Sequence, residues 1–483
     1  MTLCHASNRM RFACTTAIFV ISIWMTAQAQ APPRPEVQQL RTKLQQLEQE
    51  MSELRGQISA IELAPSANLT TPTPTSGGPS ADLTIPAPPP GEAAAQETGP
   101  KTPKEDQSKS SLDLYGFIML DSGYDFKTND PDWFDVIRPT KLPSFKGEFA
   151  PDGKAYFGVR QTRFGVKTST PTSVGNLKTQ FEFELFGTGA DAGQTTFRLR
   201  HAYGELGQFG AGQTWSPFMD IDVFPNSIEY WGPTGMVFFR NVQVRWMPIR
   251  SDNTRLTFAV ERPGASADQG IYANRIELQG VKPKFDMPDF SWEARLIRSW
   301  GYARFGGIFR KISWVDTNTS DAVDLTGDAF GWGVNVSSNV KFGKDSLGRF
   351  MVVYGAGIQN YMNDAPVDIG IKSNFSNPTS PIKGVALPLL GVVSFLDHNW
   401  SERFSSSIGY SLLNIENSDA QKPSDFHQGH YALANLLYHP VSPVTIGSEF
   451  QYGRRVNFGD GFNVNDYRLQ FSFKYEWKKT FEF

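Results

Sequence analysis

The sequence predicts an all-β fold: a sixteen-stranded antiparallel transmembrane β-barrel, preceded by a short N-terminal coiled-coil helix and a disordered linker. Three observations lead there. The last seventeen residues, YRLQFSFKYEWKKTFEF, alternate apolar and polar with Lys479 as the one exception, far beyond the ~5–6 residues usual for a soluble strand, which suits a tilted strand crossing a bilayer. No apolar run of spanning-helix length occurs beyond the N-terminus, so a helical membrane protein is excluded. Finally, from residue 112 onward the gaps between strand-like segments alternate long and short.

Residues 1–29 read as a secretory signal peptide. Arg9 and Arg11 precede the apolar FACTTAIFVISIWMTA, and Ala27-Gln28-Ala29 supplies the small-x-small site, so the mature chain is expected to begin at Gln30. Both cysteines, Cys4 and Cys14, lie in the removed segment, leaving neither a disulfide nor a thiolate metal site to the exported protein. Cleavage leaves 44 basic against 49 acidic residues, a net charge of −5, too mild a balance to suggest nucleic acid.

Residues 30–63 hold a coiled coil. Val37, Leu40, Leu44, Leu47, Met51, Leu54, Ile58 and Ile61 follow an unbroken 3,4 spacing. The flanking pairs Glu36 with Arg41, Lys43 with Glu48, and Glu50 with Arg55 are all opposite in sign, as parallel neighbouring helices require. A single amphipathic helix on another surface is the alternative, and the core residues do not discriminate dimer from trimer. Residues 64–111 turn to Pro, Thr, Ala, Ser and Gly, with almost nothing to bury, and read as a spacer.

Residues 112–483 form the barrel. FEFEL (181–185), VQVRW (242–246) and VTIGSEFQY (444–452) are typical of seventeen strand-like candidates. An up-and-down barrel with both ends in the periplasm needs an even number. Long and short connections alternate consistently only if IYANRIELQGV, near 271, belongs to one long loop at 263–289, which leaves sixteen strands.

LDLYGFIMLDSGYD at the barrel start, QTRFGVK (161–167), FRLRHAYGELGQFGAGQTWSPF (197–218), SWEARLIRSWGYARFGGIFRKI (291–312) and the terminal Phe together resemble the DcaP-like porins of Gram-negative outer membranes. The resemblance covers residues 112–483, and a coiled coil with a Pro-rich linker ahead of the barrel is also typical of that family. It implies a homotrimer in outer-membrane lipid and lipopolysaccharide, diffusion of small anionic solutes such as dicarboxylates, and a constriction formed by an inward-folded third loop. Phe483, closing an amphipathic strand, resembles the signal read by the outer-membrane assembly machinery, with Phe473, Tyr475 and Trp477 facing lipid. Lys479 interrupts that face near the periplasmic end, where a charge costs only ~0–1 kcal/mol.

Strand parity assigns the pore lining. Phe164 and Val166 outward leave Arg163 inside; Phe197, Leu199 and Tyr203 outward leave Arg198 and Arg200 inside. Val242, Val244 and Trp246 outward leave Arg245 inside, and Trp292, Ala294 and Leu296 do the same for Arg295. The loop at 215–236 is expected to hang opposite this basic wall with Asp220, Asp222 and Glu229, giving a transverse field that favours anions if the arginines dominate. Any single arginine can instead simply neutralise a wall acid, Glu182, Glu184 or Glu293.

No HExxH or G-x-S-x-G motif is present, so neither an enzyme nor a cofactor is expected. His427-x-x-His430 lies in an expected outer loop without a third ligand, and no metal site is assigned. Ser346, in GKDSLG, sits in an expected short turn and not at a nucleophile elbow. The rival to a porin is a structural tether, with the barrel as anchor and the coiled coil binding a periplasmic partner.

Overall fold

The computed structural model describes residues 109–483 except 264, 267–269, 272–274, 319 and 321. The leader, the coiled-coil seam from Val37 to Ile61 and the linker through residue 108 lie outside the described residues.

The first half of the wall is β1 (Ser111–Asp125), β2 in two segments (Lys154–Gly158 and Arg163–Thr172), β3 (Gly175–Phe186), β4 (Thr195–Leu206), β5 (Phe209–Trp215), β6 (Arg240–Arg250), β7 (Thr254–Glu261) and β8, again in two segments (Val281–Lys284 and Asp289–Arg298). The second half is β9 (Gly301–Asp316), β10 (Gly327–Phe342), β11 (Ser346–Ala356), β12 (Pro388–Asn399), β13 (Phe404–Ile415), β14 (Phe426–Tyr438), β15 (Val444–Asn457) and β16 (Asn463–Glu482). Eighteen hydrogen-bonded segments, two of them continuations of interrupted strands, thus make sixteen antiparallel wall strands. The ring closes where β16 pairs with β1 from Ser111 opposite Glu482 to Asp125 opposite Arg468. Ser110 and Phe483 add a reciprocal pair of backbone bonds, each 3.0 Å, so no edge is left unpaired at that seam.

Period-two patterning explains the wall. In β16 the side chains of Asp466, Arg468, Gln470 and Ser472 are buried in the interior, whereas Tyr467, Phe471, Phe473 and Tyr475 are exposed on the outside. Turns at one end are tight, as at Gly207–Gln208, where Gly207 takes φ 60°. Connections at the other end run from five residues to thirty-one, and in chain order they are loop 1 (126–153), loop 2 (187–194), loop 3 (216–239), loop 4 (262–280), loop 5 (317–326), loop 6 (357–387), loop 7 (416–425) and loop 8 (458–462), the last no longer than the turn at 439–443 because the strands on either side of it extend further than their patterning suggests.

Three local expectations are corrected. Pairing of β8 resumes at Val281, not near 290, because the sixteen-residue β9 extends upward and its Ser313–Asp316 edge needs partners, which Val281–Lys284 provide. A bulge opposite Glu182 and Phe183 turns both Arg200 and His201 inward. Parity is reversed beyond it, so Tyr203, expected outside, lies opposite inward-facing Gln180. His427 and His430 belong to β14, not to an outer loop, and bond separately to Asn417 (3.0 Å) and Tyr410 (2.5 Å).

Loop 3 folds into the barrel. Phe218, Ile221, Val223, Met236 and Val237 pack against Met351, Val353, Leu389, Val393 and Leu413 of β11–β13, joined by Ile137 of loop 1 and Tyr361 of loop 6. Each such side chain contributes ~1.5–3 kcal/mol when fully buried, so the loop is a packed wedge.

Candidate functional site

Two polar clusters fix what space remains. In the first, a short 3-10 turn at Ile221–Val223 is capped by Asp220, which accepts from the Asp222 amide at 3.2 Å. Arg295 on β8 then clamps both acids, with Nη2 to Asp220 at 2.6 Å and Nη1 to Asp222 at 2.5 Å. Tyr302 (2.8 Å) and Ser337 (2.5 Å) also donate to Asp220. Arg304 donates to the carbonyls of Pro217 and Met219, the latter at 2.7 Å, and Asn335 donates to that of Phe218 at 2.9 Å.

This overturns the expected transverse field. Asp220 and Asp222 do not face a basic wall across an opening; they are buried on it, because a carboxylate enclosed in a crowded interior is costly unless a cation takes it. Glu229 borders the remaining space, but its carboxylate accepts from the backbone amides of Gly232 and, at 3.2 Å, Ile137.

The second cluster lies on β2–β6. Glu182 and Glu184 on β3 face Arg200, at 2.5 and 2.6 Å, and Arg163, at 3.7 and 3.3 Å. Arg198 Nη1 and Arg240 Nη2 stand 3.8 and 3.9 Å from Glu184, which also accepts from the Tyr230 hydroxyl of loop 3. Tyr230 is stacked on Phe186 with centroids 3.8 Å apart.

Two chambers flank Tyr230 and Phe238, which line both. The inner chamber, about 760 Å³, is bounded by Arg163, Arg200, the loop 3 stretch from Phe224 to Tyr230, and the tight turns at Lys344–Asp345 and Asn399–Arg403. The outer chamber, about 40 Å³, gathers Arg138 of loop 1, Arg198, Arg240 and Arg275 of loop 4 around Tyr230, Trp231, Phe238 and Phe239. Arg138 lies between the rings of Trp133 (4.0 Å) and Trp231 (3.9 Å) and donates to Asp364 at 2.9 Å. Arg138 Nη1 and Arg240 Nη1 are buried without a hydrogen-bond partner.

Of the five arginines that parity assigns, Arg163 and Arg200 line the inner chamber and Arg198 the outer. Arg245 points inward but is held by the Trp215 carbonyl at 2.5 Å and lies over Tyr203, while Arg295 anchors loop 3. Sequence patterning does not single out Arg138, Arg240 or Arg275. Parity with Val242 assigns Arg240 to the lipid side; it turns inward because β4 and β5 pair only from Ala202 to Leu206, opening a gap above. Its position directly behind Phe238-Phe239, at the foot of a long loop, is the available signal.

Among the described residues no group of three or more His, Asp or Glu is placed to hold a metal. Ser346 Oγ lies 2.8 Å from His398 Nδ1, with the neighbouring Asp397 turned to Arg349 at 2.5 Å.

A closed sixteen-stranded barrel with an inward-folded third loop and charged chambers on either side of it defines a porin-type channel of the outer membrane. The family model for the DcaP outer membrane protein matches residues 95–475, and the chain belongs to that family. The outer membrane channel DcaP of Acinetobacter baumannii has the same fold at TM-score 0.64 and 21% identity, covering 76% of this chain and 97% of that one. The anion-selective porin of Comamonas acidovorans is similar at TM-score 0.50 and 10% identity, over 76% of this chain and 100% of that one. No curated protein sequence matches significantly.

Proposed function

We propose that this porin passes small anionic solutes, dicarboxylates among them, by passive diffusion through an arginine-lined constriction at Tyr230 and Phe238. The observation that carries this reading is the pair of buried, unpartnered guanidinium nitrogens, Arg138 Nη1 and Arg240 Nη1, at the outer chamber. Their bonding capacity is completed by a carboxylate oxygen, and planar guanidinium matches carboxylate in bidentate fashion. Charge balance agrees. Arg138, Arg163, Arg198, Arg200, Arg240 and Arg275 meet Glu182, Glu184, Glu229 and Asp364, an excess of positive charge around the two chambers. The protein acts as a homotrimer, exported by residues 1–29, inserted through a signal ending at Phe483, and extended into the periplasm by the coiled coil and linker.

The test is the reversal potential of the purified full-length protein in a planar bilayer under a potassium chloride gradient, then addition of succinate. Anion-selective current blocked by succinate is expected; cation-selective current unaffected by it overturns the reading. The 3,4 repeat at 37–61 favours a second reading, a structural tether. Deleting residues 30–110 separates the two, since a porin still conducts whereas a tether loses its envelope phenotype.

A further inference from the structure

Outside the pore, the lipid-facing sides of β13–β16 carry an ordered sequence of rows. Phe450 is level with Ala434 and Leu469; one row higher, Tyr452 is level with Ala432, Tyr410 and Tyr467. The next row towards the long loops reads Leu412, His430, Arg454, Asn465, and the one above it Asn414, Gln428, Val456, Asn463. The surface therefore passes from apolar through a tyrosine belt to polar within three rows. At the opposite end Phe404 stacks on Tyr438 at 4.9 Å, as the second aromatic girdle.

Arg454 sits on the first row beyond the tyrosine belt. A cation on the lipid side is tolerated only near the headgroups, and this one is partly buried among its neighbours. Its Nη2 donates to Asn463 at 3.3 Å, and its Nε is buried with no partner. Among the described residues no carboxylate stands within salt-bridge distance of it. Lys311, on the outward face of β9 near the same rim, instead has Asp286 at 3.0 Å. The surroundings of Arg454 are uncharged polar groups and amphipathic rings: His430 is bonded to the Tyr410 hydroxyl, and the Tyr452 hydroxyl donates to Asn465 at 2.9 Å. A guanidinium at headgroup height, ringed by uncharged polar groups and lacking an internal anion among the described residues, is built for an anion that the membrane itself presents.

We propose that Arg454, with His430, Tyr410, Tyr452 and Asn463, forms a binding site for a phosphorylated glycolipid headgroup of the outer leaflet, the guanidinium taking a phosphate monoester and the tyrosines lying along the sugar. The site is independent of the pore and of the solute it passes.

The test is thermal unfolding of the full-length protein in detergent, titrated separately with bis-phosphorylated lipid A, the same lipid with its phosphates removed, and sodium phosphate. Bis-phosphorylated lipid A is expected to raise the midpoint in a concentration-dependent way, and the other two are not. Arg454→Gln is expected to weaken that binding by at least about tenfold, with Arg454→Lys between it and the native protein. His430→Ala, a milder change, is expected to weaken it without loss of folding, so the proposal is still tested if Arg454→Gln does not fold. The proposal is overturned if the dephosphorylated lipid binds equally well, if sodium phosphate alone gives the same shift, or if the variants bind lipid A as the native protein does. It is overturned as well if Arg454→Gln dissociates the oligomer in lipid-free detergent, which would make the row a contact between copies of the chain.

Discussion

Two walls of one barrel carry inward arginines, and the partners that the loops bring decide what each does. On β8–β11, Arg295 and Arg304 grip loop 3, Arg349 donates to the Asp222 carbonyl, and Arg310 holds Asp289 at 3.0 Å together with Asp368 and the Gly357 carbonyl of loop 6. On β2–β6, Arg163 and Arg200 share two wall glutamates and still border the inner chamber, while Arg198 and Arg240 border the outer. One residue type turned inward thus fastens a loop on one side and presents charge to solute space on the other. The difference comes from loop 3: its apolar residues pack on β11–β13, its acids follow them to the neighbouring arginines, and the far wall is left facing the opening.

The largest effect is expected on the fastening wall. Arg295→Gln strands two buried carboxylates, a change that typically costs ~3–5 kcal/mol. It should lower resistance to guanidinium unfolding by that order and, by releasing loop 3, raise single-channel conductance. Adding Asp220→Asn and Asp222→Asn should recover part of the loss, since the stranded charges are then gone. A loss below ~1 kcal/mol in the single variant would show that packing alone holds the loop.

Arg240→Gln should do the opposite: little change in unfolding, and a reversal potential moved towards zero. The nearest carboxylate to Arg240 is 3.9 Å away and Arg200 already serves it, so stability loses little when the charge is removed. A stability loss matching that of Arg295→Gln would place Arg240 with the fasteners and erase the contrast between the walls.

Those two variants also mark how far sequence reasoning reaches. The wall is legible because period-two alternation is a local property: β16 follows parity from Asp466 to Tyr475, and the count of sixteen comes from such alternation pruned by connection lengths. Inward placement of Arg163, Arg198, Arg200, Arg245 and Arg295 is legible for the same reason. Their partners are not, because pairing of Arg295 with Asp220 depends on how 24 residues of loop pack inside the barrel, a long-range outcome that no spacing encodes. Arg138 and Arg275 reach the outer chamber from loops that have no period, and Tyr203 is displaced from its expected side by a single bulge.

The smallest effect tests whether the loops above both walls are themselves charge-tuned. Glu277 of loop 4 accepts from the Ile371 amide at 3.2 Å and from Gln421 of loop 7 at 3.0 Å. Partial burial, and then the nearby Asp425 carboxyl, push its pKa up to about 7. Since the folded pKa exceeds that of an unfolded Glu, about 4.3, the folded loops bind the proton more tightly, and the contact is strongest below the unfolded value. It is lost progressively as pH rises through 7. Amide exchange in 276–278 and 416–425, corrected for intrinsic rates, should therefore be slower at pH 5 than at pH 8. Glu277→Gln, which keeps the amide acceptor and cannot ionise, should flatten that dependence. Equal protection at both pH values in the native protein would mean that the loop 4 to loop 7 contact is held by Gln421 and the backbone, with the carboxyl pair a bystander.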